Sequence, residues 1–412
     1  MSSDTFVIAG AGMAAGKAVE TLRDEGFDGR IVLVGAEPER PYERPPLSKD
    51  LLRGETERSS VFLRDAEGWY AEHDVDLRTG TVIERLDPGE RSVVLAGGER
   101  LAYDRLLLAT GATPRRLPVP GGDLEGVHVL RTLADCDALR GVIEAGGRLV
   151  VVGGGWIGCE VAASARQKGM DVTLVETQSV VLESVLGPEL GAFYREVHAE
   201  HGIDLRLGSG VEAIEGDGRA ERVRLSGGDV VECAAALVGI GVAPVTELAE
   251  GVLDVDNGIL VDERLATSAD GIYAAGDVAN TFNALLGGRV RVEHWANALE
   301  QGPAAARSML GQDVSYDRVP YFFSDQYDVG MEYAGLHRPG EDELVVRGDM
   351  SSREFIAFWV RGDKLVAGMN VNIWDVSDTV QELIHAGRPV DRGRLADPDV
   401  ELADVSAPGA AG

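Results

Sequence analysis

The sequence predicts an α/β chain: two units of parallel sheet and helix, with a small α+β domain towards the C-terminal end. Three observations carry that reading. A strand–glycine turn–helix–strand pattern opens the chain at 6–37, FVIAGAGMAAGKAVETLRDEGFDGRIVLVGAE. The same pattern returns at 148–176, RLVVVGGGWIGCEVAASARQKGMDVTLVE, and a repeat of this kind is informative about architecture. After 319 the composition shifts to aromatics, in segments that alternate like paired strands.

In the first copy, the apolar run 6–9 bounded by glycine reads as a buried parallel strand. Gly10-Ala11-Gly12-Met13-Ala14-Ala15 is a G-x-G-x-x-A turn, followed by helical periodicity over 17–24. Gly10 permits the tight turn, and Gly12 lets backbone approach a pyrophosphate. The small residues Ala14 and Ala15 let helix and strand pack closely. The helix N-terminus offers unpaired N–H groups and a positive dipole end to the phosphates. A second strand, 31–34, ends beside Glu37, whose carboxylate suits a ribose diol. The second copy matches at every position: Gly153, Gly155 and Gly158, with Ile157 in the first turn of its helix. Its acid, Glu176, lies about 20 residues beyond Gly155, the spacing expected. Two fingerprints in strand–turn–helix–strand context imply two Rossmann-like domains and two dinucleotides.

The 412 residues, 44% hydrophobic, are ample for two or three domains. No stretch approaches the ~20 apolar residues that cross a bilayer, and the first strand begins too early for a signal peptide to precede it. The three cysteines, Cys136, Cys159 and Cys233, are far apart and form no metal-binding spacing, so no metal is expected and a cytoplasmic setting is the simplest one. A formal charge of −30 excludes nucleic acid and anionic membranes as partners. Lys17, Lys49, Lys168 and Lys364 are the only lysines, so arginine carries nearly all the positive charge.

Between and after the fingerprints the chain reads as follows. The segment 40–49, RPYERPPLSK, is stiffened by three prolines in six residues, and Ser48 is placed to cap a helix starting near Lys49. Read alone, it is equally a rigid surface loop with Arg40 and Arg44 in water. Residues 75–95 alternate as antiparallel β with a turn at Asp87-Pro88-Gly89. A buried strand in 103–114 runs into a turn where Thr110 and Gly111 admit a close ligand. Arg131 reads as a loop arginine. A helix is expected over 190–202 and strands over 203–237, and the turn GIGVAP at 239–244, with Gly241, leaves that domain. A strand 272–275 delivers Gly276-Asp277 at the start of another helix, where Asp277 is either an acceptor for a sugar-alcohol hydroxyl or an N-cap. The aromatics after 319 belong to a core more often than to a cofactor shield, and the tail after 396 is acidic, then Ala, Gly and Pro.

The paired fingerprints, RPPLSK at 44–49, ATG at 109–111 and AAGD at 274–277 resemble the glutathione-reductase-type flavoproteins. Within them, VEHWANA at 292–298 and PYFFSDQYD at 320–328 resemble the NADH-dependent ferredoxin reductases of bacterial oxygenase systems. The likeness covers about residues 5–395. It implies an FAD-binding domain over 1–113 and 245–318, split around an NAD-binding domain at 114–244. A C-terminal interface domain at 319–396 and a mobile tail at 397–412 follow. The first fingerprint then holds FAD and the second NAD. Lys49 sits near flavin N5, Arg44 near the adenosine part, and Val82, Arg131, Asp277 and Trp295 match the remaining FAD contacts. Glu160 lies near the nicotinamide, paired with Lys49. Phe323 stands where the family usually has Trp.

The implied reaction is hydride transfer from NADH to FAD, then release of single electrons to a ferredoxin-type iron–sulfur protein, by a monomer or homodimer. A flavin disulfide reductase would need a cysteine pair in 40–60, which contains no cysteine. A peroxide-forming NADH oxidase and a redox-sensing FAD/NAD-binding protein of the apoptosis-inducing-factor type are the alternatives. Arg289, Arg291, Arg338, Arg388, Arg392 and Arg394 are expected to form a basic patch for the acidic ferredoxin.

Overall fold

Each fingerprint strand is apolar on both faces and becomes the central strand of a five-stranded parallel sheet. A computed structural model describes residues 4–64 and 68–407. They separate into two compact units, one of residues 4–44, 58–113 and 243–320, the other of 45–57, 114–242 and 321–407. In the first unit the strand order is Ile272–Ala274, Arg105–Leu108, Thr5–Ala9, Arg30–Val34, Val75–Arg78, every pair parallel. Val7, Ile8, Val32, Leu33, Leu106 and Leu107 are wholly buried there. The helix Met13–Asp24 packs against the helix Trp295–Met309. Gly302 makes their approach possible, since a Cβ there would lie 2.3 Å from the Ala14 carbonyl oxygen.

The second unit repeats the parallel sheet in the order Asp204–Leu207, Asp171–Glu176, Arg148–Val152, Ala235–Val238, Val127–His128. It also holds an antiparallel sheet in the order Tyr321–Gln326, Val329–Gly335, Lys364–Val371, Glu354–Arg361, Glu343–Asp349, covered in part by the helix Ser377–Ala386. Phe355 and Phe358 are fully buried in it, and Trp359 nearly so, whereas Trp374 is exposed.

Four expectations need correction. Val75–Arg78 is a parallel edge strand, because its partner Arg30–Val34 belongs to the same sheet; the antiparallel hairpin is Ile83–Asp87 with Ser92–Leu95. Gly276-Asp277 does not start a helix: Gly276 has φ +80°, and the turn it makes runs into the strand Ala279–Asn283. Ser48 caps nothing, since the helix Asp50–Arg53 follows Lys49 with no side-chain cap. The expected mobile tail is packed as far as 407, because Leu402 and Val405 are buried, Asp391 N–H bonds the Val405 carbonyl and Ala407 N–H bonds that of Pro389. Residues 408–412 lie outside those described.

The helix Pro188–Glu200 carries a fully buried histidine, His198, with Nε2 2.9 Å from Gln326 Oε1. Burial lowers its pKa from 6.5 to about 4. Between those values the unfolded chain binds a proton that the folded protein refuses. Stability therefore falls as pH drops through that window and is unaffected by this group at neutral pH. By pH 5 the loss from His198 amounts to about 2 kcal/mol. Denaturant unfolding at pH 7 and pH 5 checks this: the parent is expected to lose more stability than His198→Gln, and equal losses would contradict the assignment.

Candidate functional site

Both fingerprint turns are built by the same device. The strand ends in a glycine at positive φ, Gly10 (+107°) or Gly153 (+103°). Its N–H bonds the carbonyl ending the next strand, Val34 or Val175, at 2.8 and 2.9 Å. A Cβ on Gly10 would meet the Ala109 carbonyl oxygen at 2.1 Å, and one on Gly153 that of Gly239 at 2.5 Å. The following helices, Met13–Asp24 and Trp156–Gln167, each start at a glycine N-cap, Gly12 or Gly155, with no side-chain cap. The chain does cap another helix fully: Thr132 and Asp135 form a reciprocal capping box on Leu133–Ala145. A Cβ on Gly12 or Gly155 would meet nothing within 4 Å. Two uncapped helix ends facing open space thus offer backbone N–H groups to a phosphate.

In the first unit several of the other expected cofactor residues lie close to this turn. The Cβ position of Gly10 lies 3.1 Å from Thr110 N, and the Thr110 hydroxyl donates to the Val245 carbonyl at 2.7 Å. Gly111 has φ +72°. Ala14 and Ala15 are buried, and the Cβ position of Gly276 lies 3.2 Å from Ala14 Cβ. Beside it, Asp277 is a buried carboxylate whose charge is felt by Arg44 and His294. Glu37 accepts from Arg44 Nη2 at 2.8 Å and from the Tyr42 hydroxyl at 2.5 Å, so its carboxylate is held in place. Tyr42 escaped the sequence reading. Val82 is exposed after the edge strand Val75–Arg78, and Trp295 opens the helix Trp295–Met309.

In the second unit, Gly158 closes the turn so tightly that a Cβ would lie 2.0 Å from the Gly153 carbonyl oxygen. Ile157, in the first helical turn, is exposed, and Gly241 has φ +90° with open space at its Cβ position. Glu176 accepts from Gly154 N–H at 2.6 Å with one oxygen, and from Thr177 Oγ1 and Gln178 N–H with the other. Arg131 precedes the helix Leu133–Ala145, its N–H bonded to Asp135 Oδ2 at 3.0 Å.

The densest chemistry in that unit surrounds Glu160, itself only 4% exposed on the helix Trp156–Gln167. Lys49 Nζ donates to Glu160 Oε2 at 2.8 Å, Ser48 Oγ donates to the same oxygen at 2.5 Å, and Ser324 Oγ donates to Oε1 at 2.7 Å. A buried ion pair is a poor stabiliser once desolvation is counted, so stability gives no reason for it, yet losing one partner costs about 3–5 kcal/mol. Lys49 is 7% exposed, with a weak contact to the Pro45 carbonyl at 3.5 Å and the Phe323 ring centroid 5.5 Å away. Nearby, partial desolvation raises the carboxyl of Asp325, although the residue is exposed, with Lys49 opposing and Glu160 adding to that rise. Ser48, Ser324 and Gln326 were missed as functional residues. The one available signal was the alternation in Tyr321–Gln326, which places Ser324 and Gln326 together on the inward face of the strand.

The arginines expected to form a basic patch are mostly engaged. Arg291 pairs with Glu293, Arg338 with Glu341 and Arg392 with Glu343. Arg289 bonds the Val261 and Asn280 carbonyls, and Arg394 that of Asp404. Arg388 is exposed. A cluster of unpaired cations is therefore not what these residues make. None of the thiols is poised to react: burial raises Cys159 far above its ordinary value and Cys233 to about 11. Cys136 is buried, and no group of residues among those described is arranged to hold a metal.

Two dinucleotide cradles and a buried lysine–glutamate pair define a nucleotide-dependent oxidoreductase. The chain belongs to the pyridine nucleotide-disulphide oxidoreductase family, whose pattern matches residues 4–302, and within it to the ferredoxin reductases of oxygenase systems. Residues 321–406 match the family described as reductase C-terminal. The chain is 42% identical, over 97% of its length and 98% of the relative's, to the 5,5'-dehydrodivanillate O-demethylase ferredoxin reductase subunit of a Sphingobium strain. It is 41% identical to the ferredoxin–NAD(+) reductase component of the anthranilate 1,2-dioxygenase system of Burkholderia cepacia, over 98% and 99% of the two chains. The reductase in a crystal structure of a covalent putidaredoxin reductase–putidaredoxin complex superposes with a TM-score of 0.94, at 37% identity and 98% coverage of both chains. Among the described residues no helix is long and apolar enough to cross a membrane.

The glycine geometry separates binding from folding. Gly155→Ala is expected to fold as the parent does, because its Cβ meets no protein atom, while weakening NADH binding by roughly tenfold or more. Gly158→Ala is expected to lower the thermal midpoint, because its Cβ collides with backbone. Melting curves and nucleotide titration of both variants check this; equal destabilisation, or unaltered NADH affinity in Gly155→Ala, would contradict it.

Proposed function

We propose that the protein takes hydride from NADH onto FAD and passes single electrons to an iron–sulfur ferredoxin that feeds an oxygenase, in the cytoplasm. The observation that carries this reading is the Lys49–Glu160 pair in a chain with two dinucleotide cradles and no reactive thiol. In this reading the first cradle, with 245–318, takes FAD, 114–244 takes the nicotinamide nucleotide, and 319–396 is the interface domain. When bound, the flavin supplies the change from two electrons to one.

The chain's own residues do the rest. With the flavin bound, Lys49 would be the cation set to stabilise negative charge on its ring, and burial keeps the ammonium preorganised. Glu160 offsets the lysine's charge and fixes its position. The ammonium has a third N–H with no protein acceptor among the described residues, available to a ligand. Glu176, already fixed by Gly154, favours NADH: a 2'-phosphate would remove a ribose donor and set negative charge against it. The residues that follow, 177–182, contain no arginine to pair with such a phosphate. Backbone N–H groups at the helix starts after Gly12 and Gly155 would hold the two pyrophosphates, and correct positioning lowers the barrier to transfer.

Stopped-flow reduction by NADH tests the assignment of Lys49. Lys49→Met is expected to slow flavin reduction by roughly ten- to a thousandfold while retaining FAD. Reduction at the parent rate would remove Lys49 from this role.

A further inference from the structure

A one-way chain of hydrogen bonds ends on Glu160. Ser324 has one hydroxyl proton, and it is given to Glu160 Oε1 at 2.7 Å. Ser324 Oγ then accepts from Gln326 Nε2 at 3.2 Å. That fixes the Gln326 amide with its oxygen towards His198, where it only accepts, so His198 carries its proton on Nε2. His198 Nδ1 is buried and has no hydrogen-bond partner. All four side chains are at least 96% buried, and they come from two helices and one strand packed within one unit.

We propose that Ser324 is a positioning residue for the Lys49–Glu160 pair, aimed by Gln326 and His198 so that its proton always points at the carboxylate. Nothing in this chain can reverse: a carboxylate accepts at one end, and an amide oxygen demands a donor at the other. Glu160 is thereby held by three donors, Ser48, Lys49 and Ser324, and the lysine's ammonium is held still. Every link from His198 Nε2 to Glu160 is satisfied, and the one unpaired atom, His198 Nδ1, lies at the far end of the chain from the carboxylate. The lysine's charge is thereby kept at one place.

Other groups that feel the charge of Glu160 are Cys159 on its own helix, Tyr194 on the helix Pro188–Glu200, and Asp325, which is exposed on the other face of the strand Tyr321–Gln326. Asp50 and Arg53 act on Asp325 from the short helix Asp50–Arg53, and His201 acts on His198. Cys159 and Tyr194 are fully buried and driven further towards their neutral forms. The donor chain is therefore the element through which a substitution at 324 or 326 reaches Glu160.

The inference rests on Lys49 acting at the flavin, and the test keeps the two apart. The limiting rate of NADH-driven flavin reduction and the NADH concentration that half-saturates it are measured for the holoenzyme, Ser324→Ala, Ser324→Thr and Gln326→Leu. Ser324→Ala takes away one of the three donors that hold the Glu160 carboxylate, so its limiting rate falls by roughly three- to tenfold while half-saturation by NADH stays where it was. Ser324→Thr restores the parent rate, and Gln326→Leu lowers it by less. The ring nitrogens of ¹⁵N-histidine-labelled holoenzyme give a second readout, independent of turnover: His198 is a fixed Nε2–H tautomer in the parent and exchanges between tautomers in Gln326→Leu. A parent limiting rate in Ser324→Ala, or an Nδ1–H His198 in the parent, overturns the proposal. If Lys49→Met reduces at the parent rate, the reading of Lys49 fails instead, and the tautomer result still decides the hydrogen-bond chain.

Discussion

A single buried carboxylate, that of Glu160, holds three stretches of chain that are far apart in sequence. Ser48 and Lys49 lie 112 and 111 residues before it, and Ser324 lies 164 residues after it. A carboxylate taken out of water must be compensated nearly completely. That requirement explains why 45–57 packs with the second unit although the residues on both sides of it belong to the first. It is reinforced by Ser164, whose hydroxyl donates to the Ser48 carbonyl at 2.6 Å. The prolines of 40–49 stiffen the segment that presents Ser48 and Lys49, so less conformational entropy is lost in placing them.

The two cradles show the same economy with one difference. Both use a glycine at the helix start, which leaves N–H groups for a ligand and forgoes only about a few tenths of a kcal/mol relative to a side-chain cap. The third motif position differs: Gly158 is forced by a carbonyl at 2.0 Å, whereas Ala15 occupies its place in the first copy and is buried without exposure. The second turn is therefore the tighter one.

The parallel sheets, both turns and the acid at each second strand's end were legible because they are local: periodicity, glycine and spacing lie within about thirty residues. The glutamate's donors were not. Ser48 read as a helix cap because serine before an acidic residue and a leucine pair has that local meaning. Its hydroxyl goes elsewhere because Glu160 is brought within 2.5 Å by tertiary packing. Asp277 was similarly misplaced at a helix start, since a glycine–aspartate pair after a strand does not reveal whether helix or strand follows. The tail read as loose from composition, and two buried side chains, Leu402 and Val405, were enough to hold it as far as 407.

Net charge argues about solubility and steering, not about chemistry, and the paired arginines leave partner choice to shape and to a few exposed cations. The electron path is thus best tested by the path itself. The enzyme is reduced with one equivalent of NADH without oxygen and mixed, in separate runs, with an oxidised two-iron ferredoxin from an oxygenase system and with dissolved oxygen. Reoxidation by the ferredoxin is expected to be much the faster, in two single-electron steps. Fast reoxidation by oxygen with none by the ferredoxin, or slow reoxidation by both, would contradict the account.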